Sequence, residues 1–462
     1  MPPTAPVLAA TAIFPALVGV ALAVDLALGL ALVAVICYLG ISLLSLRAAI
    51  VLWLPLIFLG ALPALNLAAE AAGLLLALLW LGQLGNRGRA AAAATAAVAT
   101  AAVVDRHRRL LEVLVLLLVW LALSALWAAS SANVLGDLWH WAALALLWLV
   151  LATTLDSPRW LRLAAAAFVA GAILSLAIGV AAGSLTDPET EGRLEGAAGD
   201  PNFLAASLVP AIVLAGALVG GVRDALLRGA VVIAIPVLAA GLVMSQSRGG
   251  ALAAAGTLLL ALVAFKGKRR HVAGFALLAV GVAVAAFAAT PAAWERITTL
   301  DPGGSGRSSL WTVAWRVTSD KPLAGVGLDN FVVVARDYVR EPGALTRVER
   351  IAEDPQYVHN LYLHVLAESG IVGLALYLAF VVGCLRAAWV AADRFAARGD
   401  PSMETLARAV FVGAGSMLIS AFFLSSMVDQ RMWVLVALGP ALLAVANRKP
   451  VAGRDGPRAA RG

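Results

Sequence analysis

The chain has 462 residues, 62% of them hydrophobic and only 13% charged, with a mean hydropathy of +0.92. So little polar surface cannot cover a globule of this size in water, which excludes a soluble fold. The net charge of +7 would point to nucleic acid in a soluble protein; here its placement along the chain reads as a membrane-orientation signal, and no nucleic-acid partner is expected.

An apolar helix of about 17–25 residues crosses roughly 30 Å of hydrocarbon. Such runs lie at 7–24, 27–45, 49–66, 68–84, 110–129, 138–155, 162–183, 202–220, 229–245, 250–265, 272–290, 361–385, 406–426 and 432–446. They predict an all-α, polytopic membrane helical bundle of about 12–14 transmembrane helices with a helical extracytoplasmic loop. The lower count applies if the closely spaced early runs merge or re-enter. Short alternating segments are absent, which excludes a β-barrel. The expected organisation is an N-terminal transmembrane bundle over 1–290 with eleven candidate spans, an extracytoplasmic helical loop over 291–360, C-terminal transmembrane helices over 361–446 and a disordered cytoplasmic tail over 447–462.

No basic region precedes the first apolar run, so no cleavable signal peptide is expected. With the N-terminus inside, Arg47, Arg106, Arg108, Arg109, Arg159, Arg162, Arg223, Arg228, Lys266, Lys268, Arg386, Arg394, Arg398 and Arg408 all fall on the cytoplasmic side. The short outer loops keep Arg193, Arg248 and Arg431, a strong positive-inside asymmetry. The Ala-rich stretch 90–104 has basic clusters on both flanks and reads as a cytoplasmic helix or loop. Cys37 and Cys384 both sit in apolar runs and read as small buried hydrophobes.

Two outer loops exceed connector length. The first, 184–201, is acidic and ends in Asp200-Pro201-Asn202 at the mouth of a span. The second, 291–360, predicts two helical pieces: one begun by Ser308 or Ser309 and stopped at Lys321-Pro322, the other from Asn330 to about Tyr338. Together they form a helical hairpin on the outer face.

Candidate chemistry collects on this side. Arg248, in Ser247-Arg248-Gly249-Gly250, stands at a helix start; it either forks onto phosphate oxygens or snorkels to lipid phosphate. Arg307 repeats the pattern of glycine, arginine and helix N-terminus; taken singly it reads as a solvated surface charge, and beside Arg248 as a candidate second clamp. His359, beside Asn360, stands where the long loop re-enters apolar depth and is the candidate base. His364 falls on a different part of the following helix and is the weaker candidate. Glu368, inside an apolar run, either holds an arginine or packs against a helix end. Asp200, Asn202 and Asp429-Gln430-Arg431 are further polar groups on this side, with Asp429 and Arg431 pairing across a tight turn as the simpler reading. Phosphate-binding loops, dinucleotide fingerprints, zinc-protease motifs and paired carboxylates for a nucleotide-sugar metal are absent from the sequence, so no metal and no cofactor are expected, and a membrane-dissolved phosphorylated donor fits best.

Four stretches in order carry a resemblance: Ser-Arg-Gly-Gly at 247–250, Gly-Arg-x-x-x-Trp at 306–311, Pro-Leu-x-Gly-Val-Gly at 322–327, and His359-Asn360-x-Tyr362-Leu363 leading to Glu368-Ser369-Gly370-Ile371-Val372-Gly373. In these the chain resembles the O-antigen ligase and O-antigen polymerase superfamily of bacterial inner-membrane proteins. The resemblance implies a metal-independent, inverting glycosyltransferase in the inner membrane. It would take a glycan from an undecaprenyl-diphosphate carrier on the periplasmic face and pass it to a glycan, lipid or protein acceptor among membrane lipids. It implies diphosphate binding by Arg248 and Arg307, catalysis by His359, and a less defined role for Asp200-Pro201-Asn202. The alternative from another class is a multi-span transporter of a small anion such as bicarbonate, which would place these groups at mid-depth along a pore.

Overall fold

The computed structural model describes residues 26–86, 107–183, 192–289, 307–339, 357–425 and 427–448. The expected span at 7–24, the Ala-rich stretch 90–104 and the tail from 449 lie outside the described residues. The helices are α1 (Leu26–Leu44), α2 (Leu46–Trp53), α3 (Pro63–Asn86), α4 (Arg108–Leu123), α5 (Ser131–Thr154), α6 (Pro158–Ala181), α7 (Pro201–Val219), α8 (Ala225–Met244), α9 (Arg248–Ala264), α10 (Arg269–Ala289), α11 (Arg307–Asp320), α12 (Phe331–Val339), α13 (Leu361–Ala397), α14 (Pro401–Ser420) and α15 (Gln430–Ala446). Among the described residues there is no strand. The protein is a multi-pass helical membrane protein: among the described residues eight helices are long and apolar enough to cross a bilayer, and five further apolar helices are shorter. With the shorter helices the described residues hold thirteen, within the expected 12–14.

One expected span is broken. The run 49–66 appears as α2 followed by a 3-10 turn, Leu54–Phe58, and α3 begins only at Pro63. Pro55 and Pro63 each lack the backbone donor a continuous helix needs, so the chain turns between them. That turn reaches the acidic loop, where Ala61 N–H donates to the Ala197 carbonyl at 3.0 Å.

The main core is formed by α5, α6, α7, α13, α14 and α15, with Trp141, Trp148, Tyr377, Phe380 and Trp433 fully buried in edge-to-face and tilted aromatic pairs. Cys384 is buried there, but Cys37 is exposed on α1, because α1 packs at the periphery and turns much of its surface outward.

Side-chain contacts sort the helix termini into two ends. At one end Arg47 pairs with Asp156 at 2.7 Å and Arg448 donates to the Asp156 carbonyl at 2.6 Å, while Arg408 pairs with Glu404 at 2.9 Å. The other end carries the N-termini of α5, α7, α9, α13 and α15, each capped by a side chain: Ser130, Asp200, Ser247, Asn360 and Asp429.

The helices α11 and α12 lie at that second end as the expected hairpin. Arg316 donates to the Tyr338 carbonyl at 2.7 Å, and the Tyr338 hydroxyl donates to Asp320 at 2.9 Å. Leu310, Val313, Ala314 and Val317 meet Phe331, Ala335 and Val339 in a small core of their own, which also takes in Val326, Val358 and Ala367. The described part of the first helix runs Arg307–Asp320 and includes the serines expected to begin it.

The hairpin is seated by an interlock of two glycine-rich segments. The helix α13 is interrupted at Gly370, where φ is +66° and ψ is −172°. The break frees carbonyls, which are taken up by Val326 N–H on Ala367 (3.0 Å), Gly327 N–H on Glu368 (2.8 Å) and the Trp120 indole on Ser369 (2.9 Å). In return Ile371 N–H donates to the Pro322 carbonyl at 2.9 Å. Gly325 and Gly370 both have positive φ, and a Cβ on either would overlap the other segment's backbone, so only glycine permits this approach.

Candidate functional site

At the capped end, α7 begins with Asp200, whose Oδ1 accepts from Asn202 N–H (2.7 Å) and Phe203 N–H (2.9 Å). The Asn202 side-chain Oδ1 then accepts from the Ser247 hydroxyl (2.8 Å) and from Arg193 (3.4 Å), and Arg193 also donates to the Ser245 backbone carbonyl at 3.2 Å. Ser247 caps α9 through Gly250 N–H at 3.1 Å. One asparagine thereby ties the start of α7 to the turn that carries Arg248. Gln246 in that turn is buried with φ +50°, held by its donation to the Gly192 carbonyl at 3.3 Å. Arg248 is the first residue of α9 and its side chain is exposed.

Arg307, the first residue of α11, and His359 are both within the field of Asp200. Burial lowers the Arg307 pKa and the Asp200 carboxylate opposes that shift. The His359 imidazole is held below its ordinary value of 6.5, chiefly by burial, then by the Arg307 cation, with Asp200 opposing and His364 adding to the depression. His359 is thus a neutral base at neutral pH. Its backbone is left-handed, φ +52°, and its N–H donates to the Ser425 hydroxyl at 3.0 Å, so the residue is pinned between the hairpin and the turn before α15. Next to it Asn360 is buried and caps α13 through Tyr362 and Leu363 N–H at 3.0 and 3.1 Å.

The structure therefore gathers Arg307, His359 and Asp200, and joins Arg248 to them through Asn202. Arg248, Arg307 and His359 stand at helix starts on one end of the bundle, away from the middle of any span. That placement is the opposite of a mid-depth pore.

Glu368 and Arg431 have other work. Glu368 is buried and its Oε1 accepts Phe331 N–H, the first of α12, at 3.2 Å, so of the two expectations it packs against a helix end. Arg431 pairs with Asp429 through two bonds of 2.9 and 2.7 Å, as the simpler reading expects, and its guanidinium lies 5.8 Å from the Phe203 ring and 6.0 Å from Phe58. It anchors the N-terminus of α15 to that of α7.

The sequence reading passes over several participants. Arg193 and Ser247 carry no motif of their own and gain meaning only through Asn202. A second polar group forms beside His359: Asn133, Asp329, Arg336 and Tyr357 line a pocket of about 490 Å³ with Val332 and Val333. Behind it His364 Nε2 lies 3.2 Å from Glu368 Oε1, both side chains almost fully buried. Among the described residues no group of His, Cys, Asp and Glu is arranged to hold a metal ion.

Residues 230–378 match the family described as O-antigen ligase. The matched stretch includes Arg248, Arg307, His359 and the interlocked glycine segments, and leaves out Asp200, Asn202 and Arg431. It supports the O-antigen ligase and polymerase superfamily, and with it an O-antigen ligase-like membrane glycosyltransferase. No curated protein matches the chain.

Proposed function

We propose that the protein transfers a glycan from an undecaprenyl-diphosphate carrier to an acceptor hydroxyl at the capped end of the bundle, on the periplasmic face of the inner membrane. The observation that supports this most is the shared field of Asp200, Arg307 and His359 at one set of helix N-termini. A neutral imidazole beside a cation suits a site where a proton is removed next to a departing anion.

His359 takes the proton of the acceptor hydroxyl as its oxygen attacks the anomeric carbon. The bond from that carbon to the diphosphate oxygen breaks with inversion, and the electron pair leaves with the diphosphate. Arg307 and Arg248 offset the charge that grows there, aided by the positive ends of α9 and α11. Asp200 and Asn202 position the two arginine-bearing segments, Asp200 by holding Arg307 and His359 and Asn202 by fixing the turn at Ser247.

The test is single-turnover transfer by the purified full chain from a polyprenyl-diphosphate glycan. His359→Ala is expected to abolish transfer while leaving donor binding intact. Arg307→Ala is expected to lower the rate by about a hundredfold, or ~3 kcal/mol of barrier, and to weaken donor binding as well. Wild-type turnover by His359→Ala would refute the assignment of the base.

A further inference from the structure

Among the described residues the pocket near His359 is lined by Asn133 from the first turn of α5, Asp329 from the segment before α12, Val332, Val333 and Arg336 from α12, and Tyr357 from the approach to α13. Its volume of about 490 Å³ lies in the range of small-ligand sites, about 300–1,000 Å³. Tyr357 is 50% exposed, so an aromatic face is presented to whatever enters. The walls are fixed: Asn133 donates to the Asp329 carbonyl at 3.0 Å, and Asn330 bonds Ser130 N–H at 2.7 Å and its carbonyl at 3.0 Å. Behind Tyr357, with ring centroids 5.4 Å apart, lies His364, 1% exposed and with neither ring nitrogen in a hydrogen bond of good geometry.

We infer that this pocket is the acceptor site and takes a neutral, hydroxyl-rich sugar. The inference rests on the transfer reaction proposed above and adds the chemistry of the second substrate. A carboxylate, a carboxamide and a guanidinium placed around an aromatic ring supply acceptors and donors for vicinal hydroxyls, while the ring covers the apolar C–H face of a pyranose. Charge decides against the donor's diphosphate binding here. Asp329 stands in the field of Glu368 and Asp137, with His364 and His140 opposing, and these carboxylates disfavour a phosphate even with Arg336 in the wall. Tyr357 is two residues from His359 in the chain, and His364, whose ring lies 5.4 Å from that of Tyr357, acts on the charge of His359, so the pocket adjoins the base.

The test is saturation-transfer NMR on the detergent-solubilised full chain with three sets of oligosaccharides: neutral, amino-bearing and phosphorylated. The neutral set is expected to bind and the phosphorylated set to be excluded, with Tyr357→Ala weakening the neutral set by about tenfold or more, over 1.4 kcal/mol. Tyr357 is exposed enough to be truncated without loss of the fold. Asp329→Asn keeps the left-handed backbone, φ +53°, which asparagine tolerates, and is expected to admit phosphorylated sugars. Failure of every neutral oligosaccharide to bind at millimolar concentration, or binding unchanged in both pocket variants, would overturn the inference. Neither result depends on turnover, so a failed assignment of His359 as base is distinguished from a failed acceptor site.

Discussion

At the scale of single residues, His359 is set by its neighbours more than by its own chemistry. Burial and the Arg307 cation push its pKa down and Asp200 pushes it up. A histidine shifted downward keeps its neutral form to lower pH, so the acid limb of kcat/KM is expected below the ordinary value of 6.5. Removing the cation with Arg307→Gln should move that limb to higher pH. Asp200→Asn, which keeps a competent helix cap, should move it lower. A pH–rate profile of the residual activity of each variant checks both signs, and equal limbs in all three proteins would show that the three side chains do not share one field. The same depression has a stability consequence: the folded state disfavours the imidazolium, so stability is lost as pH falls through the unfolded value of about 6.5. His359 as a candidate is legible in the sequence from its place at the end of a polar loop. Its left-handed backbone and its tie to Ser425 are not, because they depend on a turn 66 residues away.

At the scale of elements, the hairpin and the broken helix α13 form one unit. Pro-Leu-x-Gly-Val-Gly and Glu-Ser-Gly stand out in the sequence as separate stretches; in the structure each supplies the hydrogen-bond partners the other lacks. Gly370→Ala would impose a Cβ both on a positive φ and on the Leu323 carbonyl, and is expected to destabilise the seated hairpin by about 3 kcal/mol or more. Limited proteolysis checks this: cleavage within 307–339 should accelerate in the variant while the spanning helices stay protected. An unaltered cleavage pattern would mean that the hairpin is held by its small core alone. Span 49–66 shows the reverse case, in which hydropathy suggests a continuous crossing and two prolines impose a turn.

At the scale of the whole molecule, contacts divide the helix ends into a basic, ion-paired set and a set of capped N-termini that holds the site. From the distribution of arginine and lysine along the chain we propose that the first faces the cytoplasm. Trp315 is 60% exposed on the hairpin and marks the opposite side. In cells carrying Cys37→Ser, a cysteine placed at Trp315 should react with a membrane-impermeant maleimide added from outside the inner membrane, and one placed at Arg448 should react only after permeabilisation. The reverse pattern would invert the orientation and remove the periplasmic site.

The sequence by itself determined the all-helical membrane class, most of the span positions, the presence of a helical hairpin in the long loop and the polar residues around which chemistry is proposed. Those follow from local quantities: apolar run length, charge placement and the turn preferences of glycine and proline. Only the tertiary structure decided that Asp200 acts electrostatically on both Arg307 and His359, that Asn202 fixes the turn bearing Arg248, that Glu368 serves the hairpin, and that a pocket opens at Tyr357. Each is a meeting of segments far apart in the chain, and such contacts depend on how helices pack side by side, which the periodicity of any one segment does not encode.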